Sequence, residues 1–335
     1  MSKNMKAIEK STPNVAHIPR KEGFLPLLLA AVAMLITLIA TVIDKFIYPF
    51  GGDMLSPALG QIIILLIPTY LCILFLSPEK TAGEQIKALG IGKLHAQYVF
   101  FMIFAAMFTV TTSLLLNILF YGVASSAKGF TLLAAFTAGV GEYAVNYPYL
   151  ITVYVLIPSI LEEAVFRGVI FGELKKISLP VAIVLSSLIS ALFAFTLGGL
   201  PAAIFCGLTY CFVRMTTRCL QASMIVHLVY NLYALLLGTN VSAYFLSSQN
   251  NTLLIVIILA AWLVSASLFF TEAARLYKEK AEKVSAGEEQ PTLPKTSFKK
   301  LWCDLLSVFT FKPTAVCAIA CAALYVAIMI VCALG

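Results

Sequence analysis

Between Phe24 and Ile43 the chain runs twenty residues without a charge, and runs of this kind recur along almost its whole length. About twenty apolar residues in a helix cross the hydrocarbon core of a bilayer, roughly 30 Å thick. Inside lipid every peptide group needs an internal hydrogen bond, so a chain of such runs folds as packed membrane helices. Hydropathy places nine spans, at about 24–48, 58–76, 97–121, 147–171, 179–197, 199–213, 222–238, 252–271 and 314–334. The expected fold class is all-α, a polytopic membrane helix bundle of about nine transmembrane helices. Composition agrees: 61% of the 335 residues are hydrophobic and 12% charged, roughly half the charged share of soluble domains. The first run is too long for the apolar region of a signal peptide and lacks a small-residue cleavage site, so it reads as a retained helix.

The 23 Lys and Arg exceed the 16 Asp and Glu, and their placement argues against nucleic acid as the partner. With the N-terminus cytoplasmic, the inner segments hold 21 of the 23, among them Lys3, Lys6, Lys10, Lys80, Lys93, Lys175, Lys176, Arg214, Arg218 and the cluster from Arg275 to Lys312. Only Lys45 and Lys128 fall on the outer side. That asymmetry is the positive-inside signal of an integral, multi-pass protein, expected in the plasma membrane with the lipid bilayer as its surroundings. The chain divides into a cytoplasmic tail (1–23), N-terminal membrane helices (24–143), a polar-site core (144–238), an eighth membrane helix (239–271), a cytoplasmic linker (272–313) and a last helix (314–335). Within the outer loop after the third span, Phe130 to Phe136 is apolar but too short to cross. The cysteines show no CxxC spacing and no neighbouring His, and read as small packing residues.

Ionisable side chains at membrane depth mark a functional site by default. The fourth span carries Glu162 and Glu163 several residues before its inner end, with Arg167 at i+4 from Glu163. At that spacing a carboxylate and a guanidinium share one helical face and lower the cost of burying each other. Glu162 points about 100° away round the helix and has no built-in partner, which suits general acid/base work. In the seventh span His227 and Asn231 again lie at i+4 on one face, and Glu162 is the expected acceptor for that pair.

The segment Glu162-Glu163-Ala-Val-Phe-Arg167-Gly168, Pro180, the run Phe205-Cys-Gly207-Leu208 with Tyr210, and His227-Leu-Val-Tyr-Asn231 resemble the CPBP family of intramembrane proteases. This family is related to the CAAX prenyl endopeptidase and includes bacteriocin-immunity proteins. The resemblance covers roughly 144–238. It implies an intramembrane endopeptidase acting on a peptide or membrane-protein substrate. Glu162 would activate a water, Glu163 and Arg167 would support it, His227 would be the second histidine of the site and Asn231 the oxyanion donor. Where the family's middle FxxxH motif belongs, the chain reads Phe193-Ala-Phe-Thr196-Leu197, with Leu in place of His, and no histidine lies between 96 and 226. Zinc, the cofactor implied for such a metalloprotease, would have Glu162 and His227 as ligands, whereas a catalytic zinc ordinarily has three from protein. The alternative is a non-catalytic member that binds a peptide or membrane partner, as in bacteriocin immunity or scaffolding.

Overall fold

A computed structural model describes residues 23–43, 62–70, 84, 89–120, 147–195, 197–238, 252–285 and 298–334. Most of these are helical, and there is no strand among them. We number the helices α1 (Phe24–Val42), α2 (Val99–Leu119), α3 (Pro148–Leu174), α4 (Leu179–Leu192), α5 (Leu200–Thr217), α6 (Leu220–Tyr233), α7 (Thr252–Ser285), α8 (Phe298–Thr310) and α9 (Lys312–Leu334). Seven described helices are long and apolar enough to cross a membrane, and α4 is a shorter apolar helix. Eight of the nine expected spans thus lie on these helices. The second is described only at 62–70, and the patch at Phe130 to Phe136 lies outside the described residues.

Several boundaries moved, each for a local reason. The fifth span, expected to reach 197, ends as helix at Leu192, because Phe195 takes φ 46° and turns the chain towards α5. The sixth, expected at 199–213, is an eighteen-residue helix that opens with Pro201 in its first turn, where a missing N–H costs nothing, and closes at the left-handed Arg218. Beyond the expected end at 271, α7 continues as helix to Ser285, its charged extension carrying an Arg275–Glu272 ion pair. Within the expected linker, α8 forms an amphipathic helix.

Three layers of packing position the polar segment. On one side α2 packs against α5, α6 and α7 through stacked rings, Phe101 on Phe269 at 5.5 Å and Phe108 on Phe269 at 5.0 Å. On the other, α1 packs along α9, where Cys321 lies buried over the Leu27 carbonyl at 3.6 Å. Between them α3 meets α6, and α4 packs closely on α5. The α4–α5 approach depends on Gly207: a Cβ there would lie 3.0 Å from the Ser187 backbone and 3.1 Å from Ser190 Oγ. Small residues at crossings let membrane helices close to this degree.

Segments expected on the cytoplasmic side meet at one end of the bundle. The Leu220 N–H donates to the Gly90 carbonyl at 3.0 Å, Arg214 donates to the Leu89 carbonyl at 3.0 Å, and Lys280 donates to the Thr216 carbonyl. Gly90 sits at φ 80°, a left-handed backbone that favours glycine. This basic end joins segments separated by more than a hundred residues.

Candidate active site

Helix α3 is not uniformly wound. Its turns widen over Ile151–Leu156 and again over Ala164–Ile170, with a regular stretch Ile157–Glu163 between. Pro158 opens that stretch; it has no N–H to donate, and its ring crowds the carbonyl a turn earlier, which the wide turn relieves. Wide turns inside helices are uncommon and recur at functional sites. Glu162 and Glu163 close the regular stretch, and Arg167 sits in the second wide segment. Glu163 lies eleven residues before the inner end of α3, so the carboxylates sit about 15 Å in from the basic end.

Glu163 is fully enclosed and Arg167 nearly so. The Arg167 guanidinium meets Glu163 Oε1 at 3.1 Å, the i+4 pair expected from the sequence. It also donates to Ser190 Oγ of α4 at 3.3 Å and lies 5.2 Å from the centre of the Tyr210 ring of α5. Ser190 is within reach because Gly207 lets α5 close on α4. Tyr210 in turn stacks on the His227 imidazole, centroids 4.8 Å apart and planes 20° apart.

His227 stands between the two carboxylates. Its Nδ1 is 3.1 Å from Glu163 Oε1, and its Nε2 is 3.9 Å from Glu162 Oε2. An ionised carboxylate only accepts, so the Glu163 contact places the proton on Nδ1 and turns Nε2 towards Glu162. The Glu162 side chain is 35% exposed, against complete enclosure of Glu163. Asn231, one turn beyond His227, donates one amide N–H to Ser159 Oγ at 3.1 Å, and Ser159 donates to the Val155 carbonyl.

The structure therefore brings Glu162, Glu163, Arg167, His227 and Asn231 together, with one correction to the pairing. The acceptor for the His227 ring is Glu163, with Glu162 further off at 3.9 Å, and Asn231 reaches Ser159 rather than Glu162. The reason is register: Ser159 and Glu163, at i+4 on α3, meet Asn231 and His227 of α6, while Arg167 a turn later reaches α4 and α5. Sequence reasoning missed Ser159 and Ser190 altogether, although a serine within an apolar span carries the same signal as a buried charge at lower cost. Leu197, which stands where the resemblance calls for a second histidine, is 49% exposed in the turn after α4.

Residues 144–233 match the family described as Rce1-like, the type II CAAX prenyl endopeptidase Rce1-like family. This stretch is similar to the Rce1-like family. Its limits coincide closely with the 144–238 expected from the motifs, and all five candidate side chains fall inside it. No curated protein and no solved structure matches the chain. The Rce1-like match supports the fold of a CAAX-type membrane protease and, with the long apolar helices, an integral membrane protein. Zinc fits this stretch poorly. Glu163 Oε1 and His227 Nδ1 face each other, which leaves the Glu162 carboxylate, the His227 Nε2 and the buried Glu163 Oε2 as the donors not already paired. Among the described residues no three His, Cys, Asp or Glu side chains are grouped to hold a metal ion.

Proposed function

We propose that this protein is an intramembrane endopeptidase in which Glu162 activates the attacking water. The observation that carries the reading is the division of labour between adjacent carboxylates. Glu163 is enclosed and committed to Arg167 and His227, while Glu162 is partly open and its carboxylate lies 3.9 Å from the His227 Nε2. In the proposed reaction Glu162 takes a proton from a water that Nε2 also contacts, and the water oxygen attacks a peptide carbonyl carbon. The second amide N–H of Asn231 is available to the oxyanion. The C–N bond then breaks, and Glu162 returns the proton to the leaving amine. Every proton is carried by a side chain already in place, and the stacking of Tyr210 together with the Glu163 contact fixes the ring orientation on which this geometry depends.

The test is hydrolysis of a fluorogenic library of membrane-anchored peptides by the purified protein in liposomes, wild type beside Glu162→Gln. Removing a positioned base commonly costs about 10² to 10⁴ in rate, and that loss is expected with no change in thermal stability. A variant that cleaves at the wild-type rate would overturn the role given to Glu162. One observation favours a second reading, a non-catalytic member that binds a peptide in the same cavity: Leu197 replaces the middle histidine. Saturable peptide capture by a wild type that cleaves nothing in the library would establish that reading instead.

A further inference from the structure

Helix α2 lies outside the matched stretch, and it carries three consecutive hydroxyl residues, Thr111, Thr112 and Ser113, in a mostly apolar run. The first two tie α2 to α7. Thr111 shares a hydrogen bond of 2.9 Å with Ser265, and the Trp262 indole N–H donates to Thr112 Oγ1 at 2.9 Å. The third reaches α6 instead: Ser113, 2% exposed, shares a hydrogen bond of 2.9 Å with the Tyr230 hydroxyl. Hydroxyl pairs of this kind join membrane helices in general. What sets this one apart is the place of its partner.

Tyr230 stands three residues after His227 and immediately before Asn231. Asn231 is bonded to Ser159 of α3, and Tyr230 to Ser113 of α2. Neighbouring residues project about 100° apart round a helix, so α6 is held from two directions at one level and cannot turn about its axis without breaking one of the two bonds. A turn of about 20° carries side-chain atoms, about 5 Å from the axis, through roughly 2 Å. The His227 Nδ1 to Glu163 Oε1 contact is 3.1 Å long, near the upper end of the ordinary range, and does not survive a shift of that size. The Tyr210 ring that stacks on His227 depends on the same pair. Its hydroxyl is buried with no hydrogen-bond partner among the described residues, so its neighbours hold the ring over the imidazole rather than a hydrogen bond of its own. Cys206 and Tyr230 pack in one cluster with Tyr210, and the Cys206 thiol lies beside the Tyr210, Tyr230 and Ser113 hydroxyls.

We propose that Ser113 is a positioning residue for the site: by holding Tyr230 it fixes the rotation of α6 and the Tyr210 stack, and so keeps the His227 proton on Nδ1 and Nε2 turned towards Glu162. Its consequence for hydrolysis rests on the role proposed for Glu162; its effect on the imidazole does not.

The test is magic-angle-spinning ¹⁵N NMR of the full chain in liposomes with ring-labelled histidine. The chain has three histidines, and the His227 signals are those missing from His227→Gln. Spectra are read at the alkaline plateau, where the imidazole is neutral and its two tautomers are distinct. The wild type is expected to hold the Nδ1–H form in about tenfold excess, the factor that one ordinary hydrogen bond supplies. Ser113→Ala and Tyr230→Phe, each removing one oxygen, are expected to lose that excess, and the double variant to go no further than either. Ser113→Thr, which keeps the hydroxyl, is expected to retain the wild-type ratio. Thr112→Val is the control: it removes an α2 hydrogen bond of the same length that goes to α7, and is expected to lower thermal stability with the ratio unchanged. A wild-type ratio in either single variant would overturn the proposal, as would a shift in Thr112→Val as large as theirs. Should Ser113→Ala fail to fold, Tyr230→Phe decides. The spectra need no substrate, so a chain that cleaves nothing can still confirm the positioning role, and failure of that role leaves the Glu162→Gln comparison intact.

Discussion

The domain around the polar site and the α1–α9 pair beside it are both apolar membrane helices, yet they hold together by different means. Between α1 and α9 the contact consists of Leu, Ala, Met and Cys side chains such as Leu27, Ala30, Met34 and Cys321, all buried and none charged. In the domain a carboxylate, a guanidinium and an imidazole are enclosed at the centre and bonded to one another, the guanidinium also to Ser190, with the Asn231–Ser159 hydrogen bond a turn away. Lipid is as apolar as leucine, so close packing suffices for the first pair. The second arrangement has a large desolvation cost that packing alone would avoid, and that cost is offset only while every partner is present. The contrast teaches that the site is the brittle part of a robust scaffold.

The comparison is most easily broken at Arg167. Arg167→Leu leaves the Glu163 charge enclosed beside His227 without its guanidinium, and a loss of about 3 to 5 kcal/mol is expected in thermal or denaturant unfolding in detergent. The double change Glu163→Leu with Arg167→Leu should lose less than the single one; an equal loss would sink the idea that the two stabilise each other. Gly207→Ala comes next. Its Cβ would press on the Ser187 backbone, which cannot yield as a side chain end can, so α4 and α5 must separate. A destabilisation of about 1 to 3 kcal/mol is expected, and full wild-type stability would show that the helices have slack there. The smallest effect belongs to the flanking pair. Cys321→Ala removes one sulfur from an apolar contact and should cost about 1 kcal/mol and leave peptide hydrolysis unchanged; a loss as large as that of Arg167→Leu would erase the distinction between the two regions.

Much of this was legible before any coordinates. The all-helical bundle and the order of eight of the expected spans followed from apolar run length, and the segments expected at the basic end are drawn together by the hydrogen bonds joining 89–92, 214–220 and 280. The Glu163–Arg167 pair was readable because i+4 spacing fixes a shared helical face. What sequence did not reveal was which carboxylate faces His227. That choice depends on the rotation of α3 about its axis, and Pro158 and the widened turns on either side reset this rotation away from the ideal 100° step. The end of α4 was hidden for a similar reason: Phe195 adopts a backbone conformation that an aromatic residue seldom takes, and tertiary contacts with Phe193 and Tyr325 hold it there.

The fastening at the basic end has a consequence for biosynthesis. The turn between α5 and α6 is bonded to Gly90, made long before it, and to Lys280, made well after it. A nascent chain inserted through α6 holds every side chain of the site while the turn beneath it still lacks the Lys280 contact. Chain order alone makes the Lys280 contact the later one, since it cannot form until α7 has been synthesised.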